Sequence, residues 1–144
     1  MKGLVVKIAL QGATFAFDKL YTYAVPPELY NKAKAGCRAS VPFGRGNTTR
    51  QGMIFSVLEE DVAGLKKVTS LTDEEPVLTE EMLRLAEYMH ETVFCTYYDA
   101  VSVMIPAGLG FKTVNFYSAN CDFSSLSLLN DDEKMIFEYL LKKE

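Results

Sequence analysis

The chain has 144 residues, 49% of them apolar, with 15 Lys/Arg against 19 Asp/Glu for a net charge of −4. That length suits one ordinary domain, or a small domain with part of a second, and the apolar content excludes a disordered chain. No apolar run approaches the roughly 20 residues of a membrane span. Lys7 interrupts the N-terminal apolar stretch, which has no small-residue cleavage site and is not read as a signal peptide.

The charge is split along the chain. Residues 1–57 hold eight Lys/Arg against two acids, Asp18 and Glu28, a net +6; the remainder holds seven against seventeen, a net −10. Such asymmetry points the first part towards a polyanion, although an uneven surface charge with no partner is the plainer reading.

Residues 3–10, "GLVVKIAL", are rich in β-branched side chains and predict a buried strand. A loop follows. In "LYTYAV" (20–25), Tyr21, Tyr23 and Val25 alternate with Leu20, Thr22 and Ala24, so a second strand has two distinct faces. Pro26 and Pro27 end it, since neither can donate to a ladder, and Pro27 suits the first turn of a short helix, "PELYNKA".

The stretch "GCRASVPFGRGNTTRQGMIFSV" (36–57) carries three arginines and no acid. Cys37, Ala39, Val41 and Phe43 alternate with Arg38 and Ser40, the pattern of a half-exposed strand. "GRGNTTR" has the glycines of a turn, and "QGMIFSVLEE" is the returning strand, which makes a basic β-hairpin. After "DVAGLKKVTSLTDEEPVL", Thr79 can cap a helix running to about Phe94, with Glu80 and Glu81 favourably placed at its start. Met82, Ala86, Met89 and Val93 recur at helical spacing and are expected to face the core.

"YYDAVSVM" (97–104) predicts another short helix before "IPAGLG" breaks it. Residues 108–127 read as a linker with a short strand at "KTVNFYS". Asn130 then caps a last helix, with Glu133 at the capping-box position and Met135, Ile136, Tyr139 and Leu140 as its apolar stripe.

No arrangement of nucleophile and base is evident. His90, the single histidine, sits near the polar side of the 79–94 helix and reads as a surface or half-buried residue. Cys37, Cys95 and Cys121 are widely spaced, without a Cys-x-x-Cys pair to begin a zinc site, and fit a reduced, cytosolic setting. Cys37 is read as a small apolar residue in preference to an activated thiol. "GRGNTTR" lacks the Gly-Lys-Ser/Thr ending of a triphosphate loop. What remains is a surface. Tyr21 and Tyr23 beside a basic hairpin form the combination by which proteins hold single-stranded nucleic acid, although at least one tyrosine is expected in the core.

"DKLYTYAVP" (18–26), "GCRASVPFGRG" (36–46), "RQGMIFSV" (50–57) and the run 65–109 that opens "LKKVTSLTDEEPVL" occur in a specific order. In that order the chain resembles, over about residues 3–110, the N-terminal domain of the PriA family of bacterial replication-restart helicases, also called primosomal protein N′. The resemblance implies recognition of the 3′ end of the nascent leading strand at a stalled fork, in a small pocket for the terminal nucleotide. The family's Phe-Asp-Tyr wall aligns with Tyr21, Thr22 and Tyr23, so the aspartate is missing; Asp18, four residues earlier, is a weaker substitute. Gly44 aligns with the glycine of Pro-Phe-Gly, where the terminal sugar would approach the backbone. Lys66 aligns with the family lysine, a phosphate contact that Lys67 can share. Arg38, Arg45 and Arg50 are added from charge placement as backbone-steering residues.

The expected fold is α+β: a small, twisted, antiparallel, barrel-like sheet with a long C-terminal helix and short helices. Residues 1–107 would be the 3′-end DNA-binding domain, 108–127 a linker, and 128–144 the first helix of a truncated winged-helix domain. Neither catalytic residue nor metal ligand is expected here. The resemblance places ATP and zinc in the missing helicase part, and the fragment is expected to bind without turning over ATP. Branched DNA with a 3′-hydroxyl end is the expected partner, with other primosome proteins and single-stranded-DNA-binding protein reached through the full-length protein. No membrane is expected, and the implied location is bacterial cytoplasm, at forks on the nucleoid. The alternative is a protein–protein module using the acidic helical face.

Overall fold

The computed structural model describes residues 1–109, 117–118 and 126–142. The chain divides into two compact units, Met1–Gly110 and Phe111–Glu144. The first unit contains β1 (Lys2–Leu10), β2 (Leu20–Ala24), β3 (Arg38–Phe43), β4 (Thr48–Asp61), β5 (Ser70–Leu71), α1 (Glu80–Thr92) and α2 (Tyr97–Ser102). The strands form one sheet in the order β2-β1-β4-β3-β5, and every ladder in it is antiparallel.

The basic hairpin is β3 and β4, joined by a turn at residues 44–47. Asn47 and Gly44 adopt left-handed backbone there, at φ +49° and +70°. Gly52 in β4 has a different reason to be glycine: a Cβ there would lie 2.5 Å from the Ala9 carbonyl oxygen and 2.3 Å from Ile8 Cγ2. Against β1 the register shifts, with Lys7 opposite Ser56 and Ile8 opposite Ile54. Phe55 is therefore the extra residue of a β-bulge. The bulge lets Val57 and Ile54 pack on one face of the sheet while Phe55 packs on the other.

Both faces carry a core. The concave face buries Val6, Ile8, Tyr23, Val25, Val41 and Ile54. The other buries Ala9, Met53 and Phe55 beneath Leu83 and Ala86 of α1 and Val101 of α2.

The sheet curls but is not closed, which corrects the barrel-like part of the expectation. Its edges, β2 and β5, share no ladder. Residues 66–72 span the gap between them. The Ala24 amide donates to the Lys66 carbonyl and the Val68 amide to the Ala24 carbonyl, each at 2.9 Å. The Thr69 amide then donates to Ser40 O at 2.8 Å. Closure by a full ladder is blocked beyond Ala24, because Pro26 and Pro27 have no N–H.

Thr79 caps α1, its hydroxyl accepting from the Met82 amide at 3.3 Å. The inward face of α1 matches expectation at Ala86, which is buried, and at Met89, which packs against the same core, and differs at the other two positions. Leu83 and Ala86 are buried, whereas Met82 is 40% exposed and Val93 56%. The helix has apolar residues on several sides, so spacing alone did not select one stripe. α2 starts with a capping box between Thr96 and Asp99.

In the second unit, α3 (Asp131–Leu141) begins with the expected capping box: Asn130 Oδ1 accepts from the Glu133 amide, and the Asn130 amide donates to Glu133, both at 2.9 Å. Of the strand expected at "KTVNFYS", only Tyr117 and Ser118 are among the described residues. Cys121 lies outside them.

Candidate nucleic-acid interface

The site lies where the curled sheet fails to close. β2 runs along one side of the gap, the end of β3 and its turn along the other, and residues 64–66 cross between them. Together they enclose a cavity of about 230 Å³ lined by Tyr21, Thr22, Tyr23, Phe43, Gly44 and Lys66, among others. Five of the nine residues expected to bind DNA thus surround one small space, brought there from segments more than twenty residues apart.

Each side chain is held. Tyr23 is 4% exposed and its hydroxyl donates to the Pro42 carbonyl at 3.2 Å, tying β2 to β3. Burial, with a smaller contribution from Tyr21, raises its pKa and keeps it a neutral donor. Tyr21 is half-buried; its hydroxyl donates to Phe17 O at 2.7 Å and its ring meets Phe43 edge to face at 5.2 Å. Tyr23 is therefore the tyrosine in the core, and Tyr21 presents an aromatic wall.

Thr22 contributes backbone. In an antiparallel pair, successive residues direct their N–H and C=O alternately towards and away from the partner strand. The Val25 amide donates to Leu4 of β1 and the Ala24 amide donates outward to Lys66. Thr22, two residues before Ala24, likewise directs its N–H and C=O away from β1, and no described hydrogen bond takes either.

Lys66 braces the turn. Its Nζ donates to Gly44 O at 2.6 Å and to Asn47 Oδ1 at 2.7 Å. An ammonium has three donors, which leaves one for a ligand. Above Gly44 there is open space: a Cβ built there meets nothing within 4 Å. Among the described residues, no carboxylate lines this cavity.

The remaining cations separate. Lys67 and Arg45 are exposed, Lys67 beside Lys66 and Arg45 on the hairpin turn. Arg50 is half-buried, with Nη1 donating to Gly12 O at 3.1 Å and Gln11 O at 3.3 Å, and its guanidinium 5.2 Å from the Phe43 ring centre.

Arg38 departs from its expected place as a backbone-steering surface cation. It is 4% exposed. Its Nη2 lies 2.5 Å from Asp73 Oδ1, while Nε and its own amide both donate to Asp73 Oδ2 at 2.8 Å. Nη1 donates to the Leu109 carbonyl. The alternation around Arg38 was correctly phased, but the second face of β3 is covered, so the residue on it is buried. Burial works to raise the Asp73 carboxyl; the hydrogen bonds and charge of Arg38 outweigh it and hold that carboxyl below the usual range. Asp73 was not singled out in the sequence, where it sits in an acidic run that reads as solvated loop.

Asp18, named as the weaker substitute for the implied aspartate, does not line the cavity. Its carboxylate, 2% exposed, accepts from the Tyr97 amide at 3.0 Å and lies 3.2 Å from His90 Nδ1. His90 is half-buried, stacked on Tyr97 at 3.8 Å. Cys37 is fully buried, and burial pushes its thiol up, away from a reactive thiolate. Among the described residues, no cluster of three or more His, Cys, Asp or Glu is placed to hold a metal ion, and no helix is long and apolar enough to cross a membrane.

A larger cavity, about 540 Å³, lies between β4 and α1 and is lined by Lys34 and Arg84 but also by Glu80 and Glu87. Its mixed charge lacks the single sign that a phosphate would select.

Comparison with known proteins shows what the chain is similar to. Residues 6–106 match the PriA family model described as 3′DNA-binding domain (3′BD). Over 109 residues the chain is 32% identical to the replication restart protein PriA of Bacillus subtilis (strain 168), an alignment that covers 74% of this chain and 13% of that protein.

Proposed function

The chain belongs to the PriA 3′DNA-binding-domain family, and from that premise we propose that its 230 Å³ cavity seats the 3′-terminal nucleotide of a DNA strand at a branched fork. The observation that carries this reading is the convergence of Tyr21, the Thr22 backbone, Gly44 and Lys66 on one acid-free space. The volume is below the roughly 300–1,000 Å³ of ordinary ligand clefts, a size for one nucleotide end. Tyr21 offers a stacking face, Thr22 a donor and acceptor for a base edge, and Gly44 an unobstructed approach for the sugar. Lys66 offers its third proton to a phosphate, with Lys67, Arg45 and Arg50 as further cations. Such contacts go to groups that every nucleotide has, so sequence preference is weak.

In this reading the nascent leading strand is the ligand. The chain acts as the strand-end anchor of an ATP-driven, 3′-to-5′ replication-restart helicase, itself binding without ATP turnover. Primosome proteins and single-stranded-DNA-binding protein are partners of the whole protein. The chain spans 13% of the relative's length, and these wider roles would reside in the whole.

The test is a titration against a fluorescent oligonucleotide ending in a free 3′-hydroxyl, beside one ending in a 3′-phosphate. Tighter binding of the free end, lost in Gly44→Leu, supports the seat. Equal binding of both ends would reduce the site to a basic surface, and binding to neither would favour the acidic helical face as a protein interface.

A further inference from the structure

A second cavity, about 430 Å³, opens beside the first and is walled by Gly12, Phe17 and Arg50 together with Tyr21 and Phe43. The last two also line the smaller cavity, so the edge-to-face Tyr21–Phe43 pair is a partition between two neighbouring spaces. We propose that the second cavity takes the nucleobase next to the terminal one on the same strand, stacked against Phe17 and the Arg50 guanidinium. This rests on the smaller cavity being the seat of the terminal nucleotide.

Three observations select a nucleobase of that strand as the occupant. First, the walls combine aromatic faces with a fixed guanidinium plane, the surfaces on which unstacked bases are held. Phe17 is 71% exposed, an apolar face that is costly to leave in water. Arg50 is held by its Nη1 bonds to Gln11 O and Gly12 O, which leave Nε and Nη2 for a phosphate. Second, the charge is of one sign. Among the described residues no carboxylate lines either cavity, and Lys19 lies with its Nζ 5.1 Å from the Tyr21 ring centre. The nearest acid in sequence, Asp18, has its carboxylate turned into the α1–α2 side against His90 and Tyr97. Third, the two spaces share one aromatic partition, so a strand whose end enters the first has its next nucleotide at the rim of the second.

The experiment compares 3′-hydroxyl oligonucleotides with an ordinary or an abasic penultimate position, using the 144-residue chain and its Phe17→Ala and Arg50→Lys variants. Removing the penultimate base should weaken wild-type binding about tenfold, the scale of one stacked base. In Phe17→Ala the two oligonucleotides should bind within about twofold of each other, while the preference for a 3′-hydroxyl over a 3′-phosphate persists. Phe17 contributes only its backbone carbonyl to Tyr21, so the smaller cavity keeps its wall. Arg50→Lys retains the charge and loses the plane; it should shrink the abasic penalty and leave the salt dependence as it was. An abasic penalty absent from the wild type, with 3′-hydroxyl preference intact, would overturn the second seat alone. Loss of that preference in the wild type would overturn the terminal seat and the second one with it.

Discussion

Arg38 and Lys66 are both cations of the region around the hairpin, and they differ in nearly every physical respect. Arg38 is buried in β3, 4% exposed, with its guanidinium engaged by Asp73 and the Leu109 carbonyl. Lys66 stands at the mouth of the curled sheet, exposed, bracing a glycine turn with two of its three donors. One positive charge is consumed inside the fold, and the other stands exposed at the cavity, where the proposed ligand would meet it. Net positive charge along a segment therefore says little about binding until the face that each cation occupies is known.

The strongest way to break the comparison is to remove the buried cation. Arg38→Ala leaves the Asp73 carboxylate buried without its partner, and is expected to cost about 3–5 kcal/mol in urea unfolding. The folded fraction should still bind DNA. A variant of normal stability and reduced DNA affinity would put Arg38 on the binding surface after all.

The two glycines of the hairpin extend the contrast. At Gly52 a Cβ meets the Ala9 carbonyl oxygen at 2.5 Å, so Gly52→Ala should destabilise by about 1–3 kcal/mol through overpacking. At Gly44 the Cβ meets nothing, and only the left-handed backbone resists it. Gly44→Ala should therefore cost about 1 kcal/mol in stability while reducing the preference for a free 3′-hydroxyl. The measurement is denaturation and titration on the same samples.

Acid sharpens the same division. The Asp73 carboxyl is depressed in the fold, so the unfolded chain takes up its proton first as pH falls. The resulting stabilisation is complete above the unfolded carboxyl value of about 3.9 and is lost as pH drops through the lower folded value. Stability of the wild type should fall more steeply than that of Asp73→Asn over that acid window, read from urea midpoints. Parallel curves would mean that the pair carries no titratable stabilisation.

The strands, the basic hairpin and the helix caps were legible because each rests on local chemistry: alternation in 37–43, prolines at 26–27, and Thr79 and Asn130 as caps. The resemblance of short ordered runs singled out Tyr21, Tyr23, Gly44 and Lys66, and the structure brings those four to one cavity. Two things were not legible. Burial of Arg38 depends on segments 35 and 71 residues later in the chain, at Asp73 and Leu109, and Asp73 was camouflaged among acids. The inward face of α1 was read correctly at Ala86 and Met89 and wrongly at Met82 and Val93, because Met82, Leu83 and Leu85 offer alternative stripes and it is Leu83 that packs in the cluster with Phe55.

At the mouth, Lys66→Ala should leave thermal stability nearly unchanged, since an exposed contact of this kind contributes little. Its effect belongs in the salt dependence of DNA binding, where the slope should fall by about one for one lost phosphate contact. An unchanged slope would assign Lys66 to bracing the turn alone.

The smallest expected effect is at Thr22, the position where the resemblance implies an aspartate in the family. The pleat of β2 puts the Thr22 side chain on the face opposite Tyr21 and Tyr23, while its N–H and C=O face the gap. If those backbone groups read the terminal base, restoring the acid in Thr22→Asp should change 3′-hydroxyl binding by less than about threefold, within the reach of one rim charge. Thr22→Pro, which deletes the N–H at a position that takes no bond from β1, should weaken binding more than Thr22→Asp does. A large gain from Thr22→Asp would instead show that the carboxylate reaches the nucleotide. Recognition by this chain would then be a weakened form of the family's and not a backbone-led variant of it.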